Sequence, residues 1–354
     1  MSRIISVGTA VPPYRFRQSE LKMFAQALLS GNGYEPGRML EVFDSTEIDS
    51  RGFVHPREWF ESGKSFSELS EYYLSGALKL SRSAVEDCLD GYGGDTGDFD
   101  HIIYVTSTGV SAPTIDALLL NELKLDVHLK RTPIWGLGCA GGAAGLSRAL
   151  EYTRANPKSA ALLIATEICS LAFHRDDHSK SNMVSLALFS DGAAAVIVAG
   201  KENRLYGRSS LSLLDSLSTT YYDSLDIMGW EVLDDGFKAI FSKEIPSIVR
   251  ERVRGNIEEL VSGGGISLND LKHFIVHPGG PKVLSEYERA LGLDDGSFSH
   301  SRKVLREHGN MSSPTVLYVL REFMDNGPKN GGEYGIISAL GPGFSSELLL
   351  FRTE

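Results

Sequence analysis

The chain has little cysteine, no long apolar run and no excess of positive charge. Three cysteines in 354 residues, Cys88, Cys139 and Cys169, are too few and odd in number for a disulfide framework. They suit reduced thiols, and the expected location is cytoplasmic. No uninterrupted apolar stretch is long enough to cross a bilayer, so no membrane span is expected. The start, Met1-Ser-Arg-Ile-Ile-Ser-Val-Gly8, runs straight into a strand-like pattern and lacks the features of a secretory signal. Lys and Arg total 35 against 46 Asp and Glu, a net charge of −11. General nucleic-acid binding needs a basic footprint and is not expected. An anionic ligand held by a local basic patch remains compatible with that charge. There is no Pro/Ser-rich linker, which predicts one compact unit. The glycine run Ser262-Gly-Gly-Gly265 lacks the Lys-Ser/Thr ending of a phosphate-binding loop. It reads as a surface turn before a helix at Leu268 to Lys272.

What is present is alternation of strand-like and helical patterns. His101–Thr106, Ala160–Thr166, Ala193–Ala199, Phe274–His277, Gly335–Ala339 and Glu347–Phe351 read as buried strands. Helical spacing lies near Thr114–Leu123, Ser301–Glu307 and Thr315–Met324. This is an α/β pattern.

The segment Thr132-Pro-Ile-Trp-Gly-Leu-Gly-Cys139-Ala-Gly-Gly-Ala-Ala-Gly-Leu146 reads as a strand, a glycine turn and the start of a helix. Only small residues flank the thiol, so a substrate or a second backbone can approach it. A helix N-terminus favours the thiolate, the form that attacks carbonyls. The plain alternative is a buried structural cysteine. Two later segments shift the balance. His277 closes an apolar run and precedes Pro-Gly-Gly-Pro281, a strand-to-helix junction where open α/β layers place their sites. Asn310, in His308-Gly-Asn310-Met-Ser-Ser313, is a neutral amide donor on a tight turn between two helical patterns. His277 follows Cys139 by 138 residues and Asn310 follows by 33 more. Papain-like proteases share the order Cys, His, Asn, but their C-G-[SA]-C-[WY] signature is absent here.

Gly-Leu-Gly-Cys139-Ala-Gly-Gly, Leu-Phe189-Ser-Asp-Gly-Ala-Ala-Ala195, His277-Pro-Gly-Gly-Pro and Gly-Asn310-Met-Ser-Ser together resemble a type III polyketide synthase. This is the chalcone synthase-like branch of the thiolase superfamily, and the likeness spans the whole chain. It implies a thiolase-like five-layered αβαβα fold of two similar halves, divided as 1–205 and 206–354. It implies a homodimer. It also implies that Cys139 carries an acyl starter, extended by decarboxylative condensation with malonyl-CoA. His277 and Asn310 would hold the enolate oxygen, and His277 would balance the thiol proton as an imidazolium beside a thiolate. Coenzyme A thioesters are substrates, and no cofactor or metal is implied. Phe189 matches a gatekeeper at the coenzyme A tunnel, and Ser312 and Gly229 match substrate-binding positions.

The departures from the plant pattern carry information. Ala239 stands where the plant enzymes have a second gatekeeper Phe, as in the bacterial alkylpyrone and alkylresorcinol synthases that the segment resembles. A small residue there predicts room for a fatty acyl starter. Glu41 and Ser45 replace basic residues that contact coenzyme A phosphates in plant relatives, while Arg51 remains. This leaves room for an acyl carrier protein as donor. Ketoacyl-ACP synthase III is the alternative, with the same chemistry and a single condensation; it usually shows His-Gln-Ala-Asn where this chain has His277-Pro-Gly-Gly. A non-catalytic relative is disfavoured by retention of Cys139, His277 and Asn310.

Weaker signals are read plainly. His174-Arg-Asp-Asp-His178 has histidines at i, i+4, but no third metal ligand is indicated. Asp191 reads as turn chemistry, Glu167 as a hydrogen-bonded structural acid, Cys169 as structural, and His308 as the end of a helix.

Overall fold

Nine strands form one sheet in the computed structural model, which describes residues 1–30, 37–209, 211–327 and 330–354. In chain order the strands are β1 (Ser2–Ala10), β2 (Tyr14–Arg17), β3 (Ser50–Phe53), β4 (His101–Thr106), β5 (Lys130–Trp135), β6 (Ala160–Ile168), β7 (Asp191–Gly200), β8 (Leu211–Thr220), β9 (Met228–Leu233), β10 (Gly236–Phe241), β11 (Leu271–Val276), β12 (Tyr334–Gly341) and β13 (Ser345–Thr353). The sheet order is β11-β12-β13-β8-β1-β7-β6-β4-β5, with β2-β3 and β9-β10 as separate antiparallel pairs. Outward from β1 the pairings are antiparallel, antiparallel, parallel, parallel. Outward from β8 they are antiparallel, antiparallel, parallel. The second run repeats the first without a partner for β5. A short pairing of Ser2–Ile4 with Leu211–Leu213 joins the two.

Side-chain alternation builds the layers. On β7, Val196 and Val198 join an inner core with Leu146 and Leu150 of the helix Gly141–Ala155 and Val316 and Leu320 of the helix Thr315–Asn326. Ala195 and Ile197 face an outer core with Leu80, Ala84 and Val85 of the helix Phe66–Asp90. In the second run Ile275, Ile337 and Leu349 point inward, while Val276, Ile336 and Leu350 meet Val249, Val253 and Ile257 of the helix Ile245–Ser262. Successive strand residues point to opposite faces, so one strand serves two cores. The helix Gly141–Ala155 touches β6 and β7 on one side and β12 and β13 on the other. The order is helix, sheet, helix, sheet, helix, as expected of the thiolase-like fold.

Two local expectations fail. The segment predicted as a helix from Leu268 is one 3₁₀ turn, Leu268–Asp270, and β11 begins at Leu271. Asp270 Oδ2 accepts from Ser267 N and Oγ at 2.8 and 2.6 Å, which closes the turn, and burial of Leu271 draws the chain into the sheet. Asp191 is not a turn residue. It opens β7 fully inside the protein, and its carboxylate accepts from Ser170 N, Ser170 Oγ and Val54 N. Three donors make a buried acid tolerable at the start of an apolar strand.

Candidate active site

β5 ends at Trp135, and the chain turns through Gly138 (φ +49°) into a single 3₁₀ turn, Gly138–Ala140, and then the helix Gly141–Ala155. A Cβ on Gly138 would lie 2.7 Å from Pro342, and one on Gly142 would lie 2.2 Å from the Ser313 carbonyl. Glycine there lets two segments close in on Cys139, which is 5 % exposed. The predicted strand–turn–helix is present, with its first turn tight rather than α-helical.

His277 follows β11, and its N–H donates to Ser338 O at 2.8 Å, extending the ladder by one residue. Both ring nitrogens are buried and have no hydrogen-bond partner among the described residues. Asn310 lies between the helices Ser299–His308 and Thr315–Asn326. Its Oδ1 accepts from the Ser312 N–H at 2.8 Å and lies 4.0 Å from Cys139 Sγ. The Ser312 N–H fixes which end of the amide is oxygen, so the NH₂ end is the one available to donate elsewhere. Ser312 is held at φ +61°, a strained conformation for a residue with a side chain. Cys139, Asn310 and Ser312 are therefore brought together, all buried.

Phe189 ends the helix Lys180–Leu188 and pairs with Asn310 in an isolated parallel bridge. Its ring lies 5.5 Å from Phe241 and 6.3 Å from Trp230, and it forms one apolar cluster with Cys169 and Ala239. Ala239 is on β10, paired with Trp230 on β9. Gly229 is the neighbour of Trp230, and a side chain there would meet no atom within 4 Å. Phe189, Ala239 and Gly229 thus belong to one wall, and Cys169 is part of it rather than a remote structural thiol.

Glu167 is the hydrogen-bonded buried acid expected, though its partners were not foreseen, and the place of Arg51 was not anticipated. Glu167, at 0 % exposure, accepts from Ser107 N and Thr108 Oγ1 at 2.8 Å, Thr106 Oγ1 at 3.3 Å and Ser313 Oγ at 2.7 Å. Ser107 Oγ in turn accepts from the Gly138 N–H at 2.8 Å. One carboxylate therefore ties the turn before Cys139 to the loop after Asn310. A lone acid ending the apolar run Ala160–Thr166 was the available signal. Arg51 is buried and donates from Nη1 to Phe189 O at 2.6 Å and from Nε to Gln18 Oε1 at 2.9 Å. It is not a surface cation for a phosphate; Glu41 and Ser45 are exposed.

Burial dominates the electrostatics. Desolvation pushes the Cys139 thiol up to about 11, against hydrogen bonding with Ser312 that pulls it down. It pulls the His277 imidazole down to about 3 and pushes Glu167 up to about 7. Burial alone therefore favours a neutral thiol and a neutral imidazole. The expected thiolate–imidazolium pair needs the mutual attraction of the two charges to outweigh both shifts.

His174 does not join this site. Its Nδ1 lies 3.5 Å from Asp235 and its Nε2 lies 3.2 Å from Phe237 O. Among the described residues no group of three or more potential metal ligands is assembled. Nor, among them, is any helix long and apolar enough to cross a membrane.

The layered fold, the buried Cys139 and His277 at strand–helix junctions and the buried Asn310 on a turn between two helices define a thiolase-like enzyme. Residues 54–202 match the family "Chalcone and stilbene synthases, N-terminal domain", and residues 222–353 match its C-terminal domain. A putative chalcone synthase of Bacillus subtilis is 42 % identical over 362 aligned residues, covering 100 % of this chain and 99 % of that one. A 1,3,6,8-tetrahydroxynaphthalene synthase of Streptomyces peucetius is 34 % identical, covering 99 % and 92 %. The crystal structure of the tetrahydroxynaphthalene synthase of Streptomyces coelicolor, a bacterial type III polyketide synthase, superposes with a TM-score of 0.92 at 28 % identity, covering 99 % of both chains. The chain belongs to the chalcone and stilbene synthase family, the type III polyketide synthases. It is an acyltransferase-type enzyme of decarboxylative Claisen condensation that uses coenzyme A thioesters.

Proposed function

We propose that this enzyme loads a medium- or long-chain fatty acyl starter onto Cys139, extends it with malonyl units and closes the product to an alkylpyrone or alkylresorcinol. The observation that carries the starter class is the wall at Ala239. A small residue stands between Cys169, Phe189 and Trp230, and beside it Gly229 opens onto free space.

The chemistry follows from the groups present. The thiol of Cys139 attacks the starter thioester, coenzyme A leaves as a thiol, and His277 takes and returns the proton. Malonyl-CoA then loses CO₂. The resulting enolate oxygen receives hydrogen bonds from the Asn310 NH₂, the end of the amide not facing the Ser312 N–H, and from a His277 ring N–H, which has no other partner among the described residues. The enolate carbon attacks the acyl carbon and the Cys139 sulfur departs. Phe189 and Ser312 line the path, Phe189 excluding water from the departing carboxylate.

A homodimer is supported by β5. This edge strand has no fully buried residue, unlike β4 and β6, and Trp135 and Val110 beside it are 49 % and 44 % exposed. Division at 205/206 is supported by the repeat of strand-pairing senses. A carrier-protein donor is supported only by the exposed Glu41 and Ser45. Ketoacyl-ACP synthase III chemistry is disfavoured by the family match.

The test is incubation with malonyl-CoA and acyl-CoAs of increasing chain length, with products read by mass spectrometry. Starter-dependent tri- or tetraketides from long acyl chains, shortened in range by Ala239→Phe, are expected. Acceptance of short or aromatic starters alone would remove the fatty acyl reading.

A further inference from the structure

Behind Phe189 and Cys169 runs a narrow crevice walled by the phenyl rings of Phe16, Phe24, Phe43, Phe53, Phe60 and Phe173. Its lining is mostly apolar; the polar members are Arg51, Arg57, Ser170 and Ser185, and the two serine hydroxyls already donate to Asp191 Oδ2 and Ser181 O. The Arg51 guanidinium lies 5.4 Å from the Phe53 ring centroid and 5.9 Å from that of Phe43. Nε and Nη1 have acceptors, but Nη2 is buried with no hydrogen-bond partner among the described residues. Among the described residues no carboxylate forms an ion pair with it; Asp191 attracts it from nearby, but its oxygens accept from Ser170 and Val54. A buried cation with a spare donor is costly unless something accepts from it and balances its charge. Desolvation pulls its pKa down to about 9.

We infer that this crevice is a binding site for a free fatty acid, with the carboxylate on Arg51 Nη2 and the alkyl chain along the phenyl walls. A carboxylate supplies the missing acceptor for Nη2 and adds a second negative charge to that of Asp191. An unbranched chain matches a narrow, mostly apolar slot whose other buried polar side chains, Ser170 and Ser185, already have acceptors. Arg57, exposed and stacked over Phe24 at 5.1 Å, marks the rim. The same guanidinium that would take the carboxylate holds the Phe189 carbonyl, so an occupant would sit one residue from the condensing site. Binding there does not require the starter chemistry proposed above.

Titration calorimetry of the full chain with dodecanoate, and with dodecanol as the neutral control, tests this. Dodecanoate should bind about tenfold or more tightly than dodecanol, and Arg51→Gln should remove that difference. Arg51→Gln could also loosen the fold, so Leu28→Trp, at a half-buried crevice position, provides a second variant that fills the slot. It should abolish dodecanoate binding, while Ala239→Phe should leave it intact. No binding to the wild type would overturn the assignment. So would loss in Ala239→Phe with none in Leu28→Trp, which would place the acid in the condensing cavity. Loss in Arg57→Ala with none in Arg51→Gln would put the carboxylate at the rim and equally refute it. If Cys139→Ala protein bound dodecanoyl-CoA in a Leu28→Trp-sensitive way but not dodecanoate, the crevice would be a tail slot for thioesters instead.

Discussion

Phe189 and Asn310 are fastened to each other through their backbones: the Asn310 N–H donates to Leu188 O, and the Asn310 carbonyl accepts from the Ser190 N–H, both at 2.9 Å. Phe189 of the first half and the amide of the second thus share one rigid frame. That frame does not involve the Asn310 side chain. Asn310→Ala should therefore fold normally and still acylate Cys139. Loss of one enolate donor should cost about 3 kcal/mol of barrier, roughly a hundredfold or more in condensation rate. Separate assays of acyl loading and of malonyl-CoA decarboxylation check this; equal loss in both would mean the amide acts on the thiol instead.

In the proposed mechanism His277 sets the state of Cys139. An imidazolium next to the thiol favours the thiolate, whereas burial opposes both charges. In His277→Gln the attraction is gone and the desolvation remains. Alkylation of Cys139 by iodoacetamide, followed by peptide mass spectrometry across pH, should show the midpoint moving upward in the variant. Identical profiles would mean that the imidazole contributes nothing to the thiolate.

Glu167 should leave a signature in stability. Its folded pKa is raised from 4.5 to about 7, so between these values the folded state holds a proton that the unfolded state has lost. Stability then falls as pH rises through that window. Asp191, raised from 3.8 to about 6, adds a similar slope lower down. Glu167→Gln should be less stable overall, by about 1–3 kcal/mol, because its amide faces donors. Its melting temperature should nonetheless be flatter than the wild type's, most clearly towards pH 7, where Asp191 is mostly ionised and Glu167 is still titrating. Parallel slopes in thermal unfolding would assign the proton elsewhere.

The exposed edge at β5 predicts a dimer that forms without ligand. Sedimentation should give twice the chain mass, and Trp135→Arg, which places a charge on the half-exposed apolar edge, should yield monomers. A monomeric wild type would contradict the proposed assembly.

The parts legible in sequence were those written in local pattern. The buried strands Ala160–Ile168 and Asp191–Gly200 announce themselves as continuous apolar runs, because both faces are covered. Cys139 and His277 each sit at a strand–helix junction and Asn310 on a turn between two helices, all marked by glycine or proline, and the family likeness linked them. What lay outside reach depended on partners far along the chain. Nothing near Arg51 says that its guanidinium ends on the carbonyl of Phe189, 138 residues away. Glu167 finds its donors in Thr106, Ser107, Thr108 and Ser313, which no spacing rule connects. Asp191 beside Gly192 has the composition of a turn, yet three long-range donors place it in a strand.

The central claim is that Cys139 carries the growing chain. Incubation with a long-chain acyl-CoA alone, acid quenching and peptide mass spectrometry test it most directly. The acyl mass should appear on the peptide bearing Cys139 and not on those bearing Cys88 or Cys169, which burial keeps protonated. It should disappear on addition of malonyl-CoA as product forms. Product formation with no acylation of Cys139, or in Cys139→Ala, would contradict the account.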